Sequence, residues 1–294
     1  MLGARLTGTA INVTHDIACP EIGPVCALRD EPPQIHDLDF LLAELRLTAE
    51  YGVTRWLSLE AQLPFRVNAT TATFRRLDGT AFVPDVPDIH HRTETLLGLG
   101  DAWLHGILRT RLARWFFAGR LGATLPLGRT EENPFALGRA GLSHQHVQFG
   151  SGTVNPLAGA DAFHTWERAQ LRFSVQALVS AWANANGFQA GSRFSFSAAF
   201  DGRPTPTLGL GLGVDAVAEL PERWNGLVEQ DGNVGRVDVL AGGQVAWTVG
   251  RVTLLMNVRV PVVQHFFVTH HGAGQLRYPG LVSVGLLVPV DVGP

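Results

Sequence analysis

From Ala169 to Trp182 the chain reads AQLRFSVQALVSAW, with Ala169, Leu171, Phe173, Val175, Ala177, Val179 and Ala181 apolar and Gln170, Arg172, Ser174, Gln176 and Ser180 polar between them. A period of two places successive side chains on opposite faces, so this stretch predicts a β-strand. Strands of soluble proteins usually run about 5–6 residues. A strand that crosses a bilayer at a tilt needs about 9–11 residues with this alternation.

The same pattern recurs along the chain. Residues 3–12 set Ala4, Leu6, Gly8 and Ala10 against Arg5, Thr7 and Thr9. Residues 38–51 set Leu41, Ala43, Leu45, Leu47 and Ala49 against Glu44, Arg46, Thr48 and Glu50, and 57–66 return with Leu59, Ala61, Leu63 and Phe65 in the apolar row. Further strands are predicted at 98–112, 115–127, 152–164, 169–182, 191–202, 207–220, 234–247, 251–263 and 279–290. Together these make twelve strands in a single domain over residues 1–294.

The connections alternate in length. Turns near 52, 113, 166, 204 and 249 are short, whereas 13–37, 67–96, 128–150, 183–190, 221–232 and 264–278 are longer. Short turns on one rim and long loops on the other predict an all-β, transmembrane, antiparallel up-and-down β-barrel with short periplasmic turns and long extracellular loops. Tyr51, Trp56, Trp115, Trp166 and Trp247 all lie beside short turns, where an interfacial aromatic girdle is expected. A lipocalin-like soluble barrel also alternates, with its apolar face inward. Two features weigh against it: twelve strands close wider than the about 8 whose interior side chains can fill, and a soluble barrel has no need of aromatics along one rim.

Composition fits this picture. The chain is 46% hydrophobic and 17% charged with a net charge of −3, and its mean hydropathy is +0.11. No run approaches the about 18 apolar residues of a membrane-spanning helix. The near-neutral balance argues against a nucleic-acid partner; the expected partners are outer-membrane lipid and a small-molecule solute. All 23 basic residues are arginine. Nothing at Met1 reads as a signal peptide, so the signal that a secreted barrel requires is expected to have been removed or to lie outside this sequence.

Three short motifs resemble a known family. They are Gly98-Leu99-Gly100-Asp101 opening a strand, Leu125-Pro126-Leu127-Gly128 closing one before a long loop, and Gly150-Ser151-Gly152-Thr153 with Asn155-Pro156-Leu157 and Gly159 opening the next. In these the chain resembles the outer-membrane channel and transporter family of the phenol-degradation MetA-pathway type, best over about 38–220. The resemblance implies a bacterial outer-membrane channel passing small compounds, aromatic or hydrophobic ones among them.

Strand parity points Glu44, Arg46, Glu60, Arg66, Arg109, Arg111, Arg120, Arg172, Arg193, Asp215, Arg236, Asp238, Arg251 and Arg259 inward as candidate pore-lining residues. Arginines outnumber acids in this set, so a wet lumen would favour anionic or polar solutes through its field. The alternative is that these groups pair across strands and keep the interior wetted and rigid.

Cys19 and Cys26, the only cysteines, share one loop and read as a disulfide; free thiols or a metal pair are the alternatives. Nine of eleven histidines fall in predicted loops. His90, His91, His144, His146, His270 and His271, with Asp85 and Asp88, could hold zinc or copper at the mouth, although loop histidines are usually just solvated. No other cofactor is expected.

Catalysis is not expected. There is no G-x-S-x-G, P-loop or H-E-x-x-H sequence. His105 and His164 sit in strands without a serine two positions away. A channel is therefore the leading expectation. A plugged structural or adhesive barrel with working loops is its main competitor, and a lipid-modifying barrel enzyme a lesser one.

Overall fold

The computed structural model describes residues 1–17, 33–84, 92–230, 232–267 and 275–290. The expectations for Cys19, Cys26, Asp85, Asp88, His90, His91, His270 and His271 lie outside the described residues.

In chain order the elements are β1 (Leu2–Ile17), β2 (Gln34–Gly52), β3 (Leu57–Arg76), β4 (Glu94–Leu99), β5 (Ala102–Leu112) and β6 (Trp115–Leu125). A short helix α1 (Pro134–Arg139) follows, then β7 (Pro156–Thr165), β8 (Ala169–Leu178), β9 (Phe188–Gln189), β10 (Arg193–Gly202) and β11 (Leu208–Glu219). The last elements are β12 (Arg223–Trp224), β13 (Arg236–Val249), β14 (Val252–Phe266) and β15 (Leu281–Val288). Segments β4 and β5 both pair with β3 and are two halves of one wall strand, broken at Gly100–Asp101. With that strand counted once, the wall has twelve strands, each antiparallel to its neighbours. Pairing of β1 with both β2 and β15 closes the sheet. The short β9 and β12 pair only with each other.

Register explains the two faces. Leu6 lies opposite Leu45 on β2 and Val284 on β15, so one apolar row runs across three strands. The row faces outward: Leu212 is 73% exposed, Leu121 69% and Leu6 51%. A closed sheet has no edge and leaves no ladder group unpaired, so this outer wall can stand in hydrocarbon. Tyr51, Trp56, Trp166 and Trp247 are exposed beside the short turns. Trp115 stacks on Phe117 at 5.9 Å, and His164 lies between Trp115 and Trp166 at 4.8 and 4.4 Å. Aromatic rings thus gather at the short-turn rim.

Several strands extend past their predicted ends. β1 continues to Ile17, β2 starts at Gln34 and β3 runs to Arg76, taking in parts of the expected loops 13–37 and 67–96. The reason lies in the outward face at that end, which turns polar. Asn12 Nδ2 donates to Asp39 Oδ1 at 2.8 Å, Thr14 Oγ1 to Asp37 Oδ1 at 2.7 Å, and Arg75 pairs with Asp37. With this polar outward row the alternation inverts, because the apolar side chains Ile11 and Leu38 are buried on the inward face instead. Conversely, β8 stops at Leu178 rather than Trp182, and β7 begins at Pro156 rather than 152.

Candidate functional site

The inward rows are polar and mostly ion-paired. Glu44 Oε1 accepts from Arg46 Nη2 at 2.7 Å, and its Oε2 from Arg66 Nε at 3.0 Å. Arg46 also donates to Gln62 Oε1 at 3.0 Å and covers the Trp103 ring at 4.8 Å. Arg109 meets Glu50 Oε1 at 2.9 Å and the Ser58 hydroxyl. Arg120 bridges two acids, Asp161 at 2.7 Å and Glu60 at 3.4 Å, and His105 Nδ1 stands 3.4 Å from the same Glu60 oxygen.

On the opposite half of the wall Arg172 pairs with Asp201 at 2.6 Å, Arg193 with Glu219 at 2.6 Å and Arg259 with Asp215 at 2.5 Å. Arg236 pairs with Asp238 at 2.8 Å, and Asp238 also accepts from the Tyr278 hydroxyl at 2.9 Å. Arg111 sits at the short-turn rim, where its Nε donates to Ala113 O at 3.0 Å and its guanidinium covers Phe116. Arg251 is not a wall residue: it lies in the turn between β13 and β14.

The sequence-predicted lining set is therefore placed on the inner wall, with Arg251 at its edge. That set lacks Glu50, Asp161, Asp201 and Glu219, the partners of four of its arginines. Glu50, Asp201 and Glu219 share the strand parity of Arg46, Arg193 and Asp215, so parity alone could have found them; Asp161 lies on β7, where the set has no member. With them included, the expected excess of arginine largely disappears.

Glycines on β11 let these pairs lie flat. Gly211 and Gly213 face inward, and a Cβ at Gly211 would meet Asp201 Oδ1 and stand 2.8 Å from Gln244 Cγ. At Gly213 it would stand 3.2 Å from the Arg259 guanidinium. The long side chains thus cross the wall where no side chain competes, which keeps them out of the lumen.

The mouth is built from three long connections. Residues 126–155, between β6 and β7, are fastened to the wall at the β4–β5 break. There Asp101 accepts from Gly128 N at 3.1 Å, Ser151 N at 2.8 Å and Ser151 Oγ at 2.7 Å. Arg66 Nη1 donates to Phe149 O at 3.0 Å, and the Phe149 ring packs where Gly98 has no side chain. A second fastening joins these connections to one another: Phe135 on α1 meets Phe188 of β9 and Trp224 of β12 in a buried cluster. Asn133 caps α1, its Oδ1 accepting from Phe135 N and Ala136 N, with Pro134 in the first turn.

Near this cluster, burial pushes the Glu222 carboxyl above its usual range and the charge of Glu219 adds to the effect, while a hydrogen bond from Trp224 Nε1 at 3.2 Å opposes it. His144 and His146 also lie here, their rings 5.0 Å apart. Among the described residues no three His, Cys, Asp or Glu side chains come together as a metal site.

No protein-family model matches the chain, and no curated protein matches it either. Solved structures do. The COG4313 outer membrane channel from Pseudomonas putida F1 superposes with a TM-score of 0.61 at 12% identity, covering 97% of this chain and 93% of that one. A NanC porin aligns at a TM-score of 0.46 and 6% identity over 96% of this chain and 100% of that one. A CymD monoaromatic hydrocarbon channel aligns at 0.41 and 9% over 97% and 87%. At these identities the likeness speaks for the fold, and the first of the three carries it. A closed twelve-stranded antiparallel sheet with an apolar outer wall needs lipid around it, and this chain is accordingly a β-barrel of the bacterial outer membrane.

Proposed function

We propose that the protein is a channel for the passive movement of small solutes across the outer membrane. The observation that carries this reading is the state of the inner wall. Its charged side chains are held flat against the strands in pairs, yet still accessible: the side chains of Arg66, Arg172 and Arg193 are 36%, 35% and 51% exposed. A polar, wetted interior of this kind is what a conducting barrel presents.

The solute class we propose is small and weakly polar, aromatic or hydrophobic compounds included. Support comes from the resemblance of the three motifs to the phenol-degradation MetA-pathway type. Trp103 and Phe116, each under an arginine, supply apolar surface on an otherwise charged wall.

The fastening of the long connections to the wall and to one another favours a second reading, a plugged barrel whose loops are the working surface. Planar-bilayer recording separates the two. Steady open current from folded, heat-modifiable protein is expected; silence from such protein would leave the plugged barrel in place.

A further inference from the structure

We propose that Arg5, Arg46 and Arg66 form a site on the lumen wall for the carboxylate of small organic anions. The proposal rests on the channel reading for its access route, though not for the binding itself.

Register brings the site together. On β1 the inward row runs Gly3, Arg5, Thr7, and Arg5 stands directly opposite Arg46 on β2. Like charges facing one another across an antiparallel pair destabilise the sheet unless an anion lies between them. The nearby acid is already committed. Glu44 gives one oxygen to Arg46 and the other to Arg66, so a single carboxylate serves two arginines. No acidic side chain among the described residues pairs with Arg5.

Apart from Arg111 at the short-turn rim, which meets Ala113 O and the Phe116 ring, the rest of the inner wall is balanced differently. Arg109, Arg172, Arg193, Arg236 and Arg259 each have an acid of their own, and Arg120 has two. Positive charge in excess of its partners is therefore concentrated on β1–β3, where three guanidinium groups share one carboxylate.

The surroundings suit a carboxylate. On the other side of Arg5 stands Gly285 of β15, which puts no side chain beside the guanidinium, and Arg5 is exposed. One step along the same row Thr7 Oγ1 and Ser283 Oγ lie 2.9 Å apart. Two hydroxyls that share one hydrogen bond leave one O–H free to donate. A guanidinium fork with a hydroxyl donor beside it matches carboxylate geometry. Trp103, beneath Arg46, offers apolar surface to the remainder of the solute.

The test uses butyrate and its neutral counterpart 1-butanol with the full chain in detergent micelles, read by saturation-transfer NMR, and the full chain in planar bilayers, read by reversal potential in a KCl gradient. Wild-type protein is expected to bind butyrate but not 1-butanol, and to prefer chloride. Arg5→Gln should lose the butyrate signal and lower the chloride-to-potassium permeability ratio by about fivefold, roughly the weight of one unit charge a few ångströms away in water. Arg5→Lys should retain much of both.

Equal butyrate signals in wild type and Arg5→Gln would overturn the site, as would equal wild-type signals from butyrate and 1-butanol. The second comparison still decides the matter if Arg5→Gln fails to assemble. Loss of butyrate binding in Arg5→Gln with no current from any variant would uphold the site and remove the channel. Normal current without butyrate binding would do the reverse.

Discussion

Asp101 and Ser151, separated by fifty positions in the chain, meet through two hydrogen bonds of 2.8 and 2.7 Å to one carboxylate oxygen. The other oxygen holds Gly128 N, so a single side chain in a strand break fastens both ends of the connection between β6 and β7. Such bonds to a charged acceptor contribute roughly 1.5–3 kcal/mol each. Asp101→Ala should free the segment without opening the barrel. Amide exchange over 128–151 should accelerate at least tenfold and single-channel conductance should rise, with the β-sheet circular dichroism unchanged.

The outer wall gives a sharper energetic contrast. Leu212 is 73% exposed on the lipid face, whereas Arg172 on the inner wall is paired with Asp201. Leu212→Arg should cost about 2–4 kcal/mol if the site lies near the bilayer midplane. Arg172→Gln should cost less than about 1 kcal/mol, the usual range for an accessible ion pair. Denaturant unfolding from lipid vesicles measures both.

Gly211 sets the space available to its neighbours. Gly211→Val would drive a branched side chain into Asp201 and Gln244 and displace the Arg172–Asp201 pair towards the axis. Conductance should fall by about a third or more while the protein remains heat-modifiable, since an inward row is not under lipid constraint. Gly209→Ala, where the nearest atom would be Ala246 Cβ at 3.4 Å, should leave conductance close to wild type.

Glu222 makes the mouth sensitive to pH. Its carboxyl titrates above the usual value of 4.5 chiefly because it is buried. A raised folded-state pKa means that the protonated form is favoured by the fold. This contribution to stability is fully present below the unfolded value and is lost as pH rises through the folded one. Protection of residues 220–235 in amide exchange, corrected for the intrinsic pH dependence, should therefore be greatest in acid and decline above pH 4.5. Glu222→Gln should flatten the profile.

Wherever lipid lies on one side and water on the other, the sequence states the fold. The rows around Leu45, Val175 and Leu212 assign each strand its two faces, because a residue on the wrong face would meet the wrong solvent. Legibility fails where that contrast ends. There the outward row carries Asn12, Thr14, Asp37 and Arg75 in place of apolar residues, so the ends of β1 and β3 read as loop although they continue the sheet.

The mouth was illegible for a different reason. Its fastening depends on contacts between segments far apart in sequence, such as Phe135 with Trp224, which no local period records. One local sign was present, the Asn133-Pro134 pair that starts α1. The lumen stood between these extremes. Parity located its arginines, but most of their partners lie on other strands, as Asp201 does for Arg172, and such pairing depends on register that parity does not supply.

The seam where Leu2 meets Val288 joins the two ends of the wall. Closing a loop of nearly the whole polypeptide carries the largest entropic penalty of any contact in the sheet, and this pairing cannot form until the last strand has been delivered. A chain cut short of β15 would retain two raw edges and stick to its neighbours. Insertion is therefore expected to be all-or-none and to follow release of the finished polypeptide, with zippering of this seam as its final event.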